Sequence, residues 1–333
     1  MAGSVMPPRF SALQPSSKLE GEYLIKIPSA YTFGPRIFGG AAVAVAHKAV
    51  NDYISKNYPD LDQPDVINIQ WQFLRYLTPT EACIFITPVH IGKSASTVRA
   101  TIQQGGKDAM VGLLNLTNIA QPANGFSFDV PWNINPRPTE VNLSKLSDDA
   151  DDRWISILTP YNPKGFRKVH SYLKFFVPVD LEDPSYREQW ITPTDPDNWF
   201  TNDMLGFVAD VSLPILDNYF PGSTGSQASS VKIGLQQRKN RNAGIAETLD
   251  ESSGSYIAPA MISSQSMNLE IRKRLPQKGV KWLYVRATAK RIMNSRMSMK
   301  VEILDEGMEL VALAQHLCAI IDLRRQQGIK GKM

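Results

Sequence analysis

Gly39-Gly40-Ala41-Ala42-Val43-Ala44-Val45-Ala46-His47-Lys48-Ala49-Val50 places small or apolar side chains on almost every face of the helix it would form. A helix that is apolar nearly all round is buried on most sides. Upstream, Tyr23, Ile25 and Ile27 alternate with Leu24 and Lys26 between Gly21 and Pro28, which predicts a short strand. Downstream of the polar stretch from Asn57 to Asp65, Val66 to Leu74, Ala82 to Val89, Thr97 to Gln103 and Ala109 to Thr117 read as strands, and Gly105-Gly106 joins the last two as a hairpin. One strand, a buried helix and a run of antiparallel strands make an α+β unit in which a curled sheet wraps a central helix.

The pattern then restarts. Residues 121–164, rich in Pro, Asn and Asp, read as a linker with room for short structure between an N-terminal unit (1–120) and a C-terminal unit (165–325). In the second unit His170 to Val177 predicts a strand and Met204 to Tyr219 a mostly apolar helix. Gln265 to Ile271, Lys281 to Ala289, Met297 to Leu304 and Leu310 to Ile321 supply further strands. The segment from Gly106 to Val111 lies over the one from Gly307 to Ala312 at an offset of 201, and Val98-Arg99-Ala100 falls on Met299-Lys300-Val301 at the same offset. Two similar sheets, each around one long helix (Phe38 to Asn51 and Met204 to Tyr219), are therefore expected: a tandem double hotdog. An insertion at 222–255, rich in Ser, Gly and Gln and carrying the charged patch from Gln236 to Asn242, is expected to be a mobile loop.

The 333 residues suffice for about two domains, and 43% hydrophobic with 20% charged residues is a globular composition. A net charge of +4 is too small a surplus to argue for nucleic acid, and the basic runs Arg238 to Arg241 and Arg272 to Arg274 lack interleaved aromatics. Cys83 and Cys318 each sit in an apolar run, so no disulfide framework is implied. Without a signal-peptide core or an apolar run of membrane length, a cytoplasmic protein is expected, not a membrane one.

Several common sites are unsupported. There is no Gly-x-Ser-x-Gly elbow, Gly34 to Gly40 lacks the Lys and hydroxyl of a phosphate loop, and His47, His90, His170 and His316 are scattered. Neither metal nor cofactor is implied. Three polar residues stand where the pattern would place apolar ones. Asp210 interrupts an apolar helix segment, where a carboxylate needs partners. Gln315 follows Val311-Ala312-Leu313-Ala314 and, at the offset of 201, matches Leu114 in the first copy. Ser266 opens the strand after the insertion.

At these positions the chain resembles the acyl-CoA thioesterase II family. Gly206-Phe207-Val208-Ala209-Asp210 is similar to that family's Tyr-x-Ser-Asp helix segment, and Ser266-Met267-Asn268 to its Thr-x-Asp strand start. Leu304-Asp305-Glu306-Gly307, with Leu310-Val311-Ala312 and Gln315, is similar to its hairpin and catalytic Gln strand. Arg36 to Gly40 and Ile91 to Ser94 are similar to its first-half motifs, and the likeness runs from Glu22 to Ile321. It implies a water held and activated for attack on a thioester carbonyl, with Asp210 as base and Ser266 and Gln315 orienting the water. The implied partner is a small-molecule acyl thioester or hydrophobic metabolite, and a homodimer is compatible with it. The chain departs from the family at Ala41, Asn268-Leu269 and Arg272-Lys273-Arg274. Those departures leave room for a divergent member, of the kind used in fungal secondary metabolism, that cyclises or isomerises a polyketide-like intermediate, or for a non-catalytic binder.

Overall fold

The computed structural model describes residues 10–120, 128, 130–157, 168–181, 183–220, 223, 226–245 and 260–322. The first unit comprises β1 (Ser16–Leu19), β2 (Glu22–Ile25), β3 (Thr32–Phe33), β4 (Arg36–Ile37), α1 (Gly39–Asn57), β5 (Asp65–Phe73), β6 (Ala82–Ile91), β7 (Ser96–Gln104) and β8 (Lys107–Thr117). After it come α2 (Leu143–Ser147), β9 (Trp154–Ile157), β10 (Leu173–Pro178), β11 (Tyr186–Pro193), α3 (Leu205–Asp210) and α4 (Gln227–Asn242). The chain closes with β12 (Ala260–Ile271), β13 (Leu283–Met293), β14 (Arg296–Leu304) and β15 (Leu310–Asp322).

Apart from the small β3–β4 pair, these strands form one antiparallel sheet in the order β1-β2-β6-β7-β8-β5-β12-β15-β14-β13-β11-β10-β9. From the central β5–β12 seam outwards, β5-β8-β7-β6-β2 on one side mirrors β12-β15-β14-β13-β11 on the other. The repeat is thus present in the sheet order, and the fold is an α+β tandem double hotdog. The two sheets expected from the sequence are in fact continuous, because Met267, Asn268 and Leu269 pair with Trp71, Gln70 and Ile69 across the seam. The larger apolar core runs through both halves, from Ile69 and Val98 to Leu269 and Val301.

α1 is the expected buried helix. Its small residues Ala41, Ala42, Ala44, Ala46 and Ala49 have no exposed surface, which lets sheet and helix approach closely. The second helix is shorter than expected. It ends at Asp210, and a 3-10 turn covers Ile215–Tyr219, because Pro214 has no N–H to donate and disfavours a helical conformation at Leu213. α3 packs across the start of α1 at two glycines. A Cβ on Gly206 would lie 2.3 Å from Val43 Cγ1, and one on Gly40 would lie 2.9 Å from Phe207 Cα and 3.0 Å from Asp210 Cβ.

Three segments are more ordered than the sequence alone indicates. Strand β11 was not legible because Arg187, Glu188 and Gln189 look like surface residues, yet each is buried. Glu188 pairs with Arg286 at 2.7 Å, both 1% exposed, and accepts from Tyr284 Oη at 2.5 Å. The linker is partly structured: β9 pairs with β10, and Ile134, Leu146 and Trp154 form a second core with Phe176, Trp190 and Tyr284. The insertion is not simply a loop. Its charged patch lies on α4, where Arg238 bonds Asp149 at 3.1 Å and the Trp154 carbonyl at 2.7 Å, and Arg241 also reaches Asp149. Burial would raise the Asp149 carboxyl, but Arg238 and Ser156 outweigh it and hold the group below its usual range. Residues 222, 224, 225 and 246–255 of the insertion lie outside the described residues.

Candidate active site

Because α3 stops at Asp210, its carboxylate projects at the start of α1. Asp210 Oδ2 accepts from the Gly40 amide at 2.8 Å, and Oδ1 accepts from Ser264 Oγ at 3.2 Å. The helix start also brings the positive end of the α1 dipole to the carboxylate. From β15, His316 Nδ1 stands 3.9 Å from Oδ1, with the imidazole 0% and the carboxylate 11% exposed. Burial raises the Asp210 carboxyl above its ordinary range, while His316, Gly40 and Ser264 act in the opposite direction. Burial lowers His316, with Asp210 opposing. Cys318, two residues on, is pushed up to about 12 chiefly by burial and next by the Asp210 charge, so it stays a thiol at neutral pH.

The remaining surface of Asp210 faces a cavity of about 370 Å³ drawn from both halves. Phe33, Phe38 and Phe73 of the first half and Leu213, Ile215 and Ile262 of the second form apolar walls, and Ser264 is also at the wall. At the rim, Leu74 and Tyr76 are 52% and 62% exposed, and the Arg36 guanidinium lies 4.6 Å from the centre of the Tyr76 ring. Among the described residues no group of three or more His, Cys, Asp or Glu gathers as metal donors.

A family model of the acyl-CoA thioesterase N-terminal domain matches residues 27–117, and one of the C-terminal domain matches residues 140–320. The chain belongs to the acyl-CoA thioesterase family. A curated relative, the thioesterase-like protein TwmA of Talaromyces wortmannii, is 23% identical over 96% of this chain and 94% of its own length. Among solved structures, a putative thioesterase II from Thermobifida fusca superposes with a TM-score of 0.64 at 14% identity, covering 95% of this chain and 98% of that one. A hot dog fold protein of unknown function from Alicyclobacillus acidocaldarius superposes with a TM-score of 0.62 at 13% identity, covering 93% and 97%. At these identities the structural likenesses establish the fold alone.

Within this thioesterase-family chain, the three residues expected to converge do not. Asp210 lies in the cavity. Ser266 and Gln315 lie on the opposite face of the sheet, in a shallow depression of about 580 Å³ shared with Gln70, Gln72, Asn268 and Lys300. Gln315 is exposed, paired with Asn268 and Lys300. Two local shifts account for this. A bulge between Ser264 and Ser266 turns Ser264 inward, although residues two apart on a regular strand share a face. In the second hairpin Ile303 pairs with Ala312, not with the Val311 that a constant offset from the Ile102–Met110 pair demands. One extra residue flips every later side chain. Val98 pairs with Leu114 and its counterpart Met299 pairs with His316, so the polar residue that replaces Leu114 is His316. The sequence did contain a signal: Ala312, Ala314, His316 and Cys318 alternate with Leu313, Gln315 and Leu317, and the first set, all buried, contains the small residues of a helix-facing strand.

Proposed function

We propose that the chain hydrolyses an acyl thioester, carried on coenzyme A or on a protein-bound phosphopantetheine, with Asp210 as general base. The observation that carries this reading is the partly buried Asp210 carboxylate, held by the Gly40 amide and the Ser264 hydroxyl at the wall of an apolar cavity between the halves. A water beside Oδ1 gives its proton to the carboxylate as its oxygen bonds to the thioester carbon. The C–S bond then breaks, and the departing thiolate takes up the proton. Ser264 Oγ orients the carboxylate and the water, the role the resemblance implied for Ser266. The apolar walls suit an acyl group, while Arg36 and Arg75 at the rim suit a phosphate-bearing carrier.

The test follows free-thiol release and the organic product separately, using acyl-CoA substrates of graded chain length. Asp210→Asn is expected to lower kcat by about 10²–10⁴, the usual contribution of a general base. Ser264→Ala should lower kcat by roughly tenfold, the loss of one hydrogen bond to a charged group. Ser266→Ala and Gln315→Ala, on the far face, should stay within about twofold of wild type. Full turnover by Asp210→Asn would remove Asp210 as the base. A rearranged product without thiol release would move the assignment to cyclisation or isomerisation, and tight binding without any turnover would leave a binder.

A further inference from the structure

His316 has no part in the hydrolysis as written above. Its ring is fully buried on β15, neither nitrogen has a hydrogen-bond partner among the described residues, and Nδ1 stands 3.9 Å from Asp210 Oδ1. Burying an imidazole with both nitrogens unpaired costs stability, and the chain itself contains the cheaper alternative. The equivalent inward position of the first hairpin holds Leu114, also fully buried. The imidazole occurs only in the half whose helix ends in a carboxylate.

Resting on the reading of Asp210 as base, we propose that His316 is a positioning residue that shares the proton Asp210 draws from the attacking water and holds Oδ1 towards that water. As the water O–H bond breaks, its proton reaches Oδ1 and passes to Nδ1 across a contact that closes from 3.9 Å to hydrogen-bond length. The carboxylate and imidazolium stand together while the C–O bond forms and the C–S bond breaks. The proton then returns through Asp210 to the thiolate sulfur, so no further donor is required. His316 is absent from the cavity wall and acts only through Asp210.

The groups around the pair are few. α3 contributes Asp210, β15 the Cys318 thiol, β12 the Ser264 hydroxyl and α1 the Gly40 amide, while Met299 of β14, paired with His316, is uncharged. Across the cavity lie Arg36, Arg75, His170 and Asp217. Asp210 is raised by burial and lowered by His316, and His316 is lowered by burial and raised by Asp210; the proposed step starts from carboxylate and neutral imidazole. Removing the imidazole takes away an influence that holds Asp210 down. The acid limb of the rate profile must then move to higher pH.

The variants are His316→Leu, the side chain used at Leu114, and His316→Gln, which keeps a polar group of similar size. For each, kcat is expected to fall by roughly ten- to a hundredfold, below the usual range for a base itself, with KM within about twofold. The acid limb of kcat should move up by about one pH unit. A readout free of substrate is the His316 ring titration followed by NMR in the intact chain, where Asp210→Asn should shift it downwards. Wild-type kcat and acid limb in both variants, or a His316 titration indifferent to Asp210→Asn, would overturn the assignment. If His316 responds to Asp210 but no thioester is cleaved, the hydrolysis reading fails and the role given to His316 falls with it.

Discussion

Asp210 is a residue at which chemistry and stability oppose each other. Its folded pKa is raised above the unfolded value of about 3.9, so the native state binds the carboxyl proton more tightly than the unfolded chain does. The associated stability is present below pH 3.9 and is lost as pH rises through the folded pKa. At neutral pH the ionised form is therefore a net cost. Asp210→Asn removes that cost and still matches its surroundings, since the amide oxygen accepts from Gly40 and the amide nitrogen donates to Ser264 Oγ. Its Tm should exceed that of wild type by a few degrees at pH 7, and the gap should close as pH falls towards 4. A variant less stable than wild type at pH 7 would mean that the carboxylate charge, not its shape, holds this corner together.

The α1–α3 crossing positions Asp210 through two glycines. Gly206→Val would drive its side chain into Val43, which is fully buried and fixed by the sheet, so α3 would have to lift away from the start of α1. Overpacking of this kind costs typically 1–3 kcal/mol. The expected outcome is a Tm lower by several degrees together with a loss of kcat far larger than that loss of stability explains, because the Gly40–Asp210 bond opens. Normal kcat in a folded Gly206→Val protein would show that the crossing does not position the base. α4 is an element of another kind, fastened by Arg238 and Arg241 to Asp149 outside the cavity. Arg238→Ala would leave a buried carboxylate short of a partner, and thermal melts should show destabilisation by about 1–3 kcal/mol with kcat unchanged. A mobile loop, as expected from composition, would show no loss.

At the scale of the whole molecule, the β5–β12 seam makes two repeats into one body. Each repeat would otherwise expose a long strand edge with unpaired backbone groups, and the common core would be cut through. Scanning calorimetry is therefore expected to record one unfolding transition with matching calorimetric and van't Hoff enthalpies, and two resolved transitions would mean that the halves unfold independently. Much of this architecture is legible in the sequence. The all-round apolar run from Gly39 to Val50, the alternating strands and their recurrence depend on side-chain periodicity, which local backbone geometry converts directly into buried and exposed faces. Asp210 was legible too, as a charge where the helix should be apolar. The hydroxyl and nitrogen partners were not, because a strand presents opposite faces at successive residues and one bulge at Gln265, with one extra residue in the last hairpin, exchanges Ser266 and Gln315 for Ser264 and His316. Strand β11 and helix α4 were hidden for a related reason: the side chains that mark them as solvated, Arg187, Glu188, Arg238 and Arg241, find hydrogen-bond or ion-pair partners far away in sequence. Periodicity along the chain thus determined the repeated sheet and its central helix, whereas strand register and long-range charge pairing, which exist only once the halves are packed together, decided which polar groups meet Asp210.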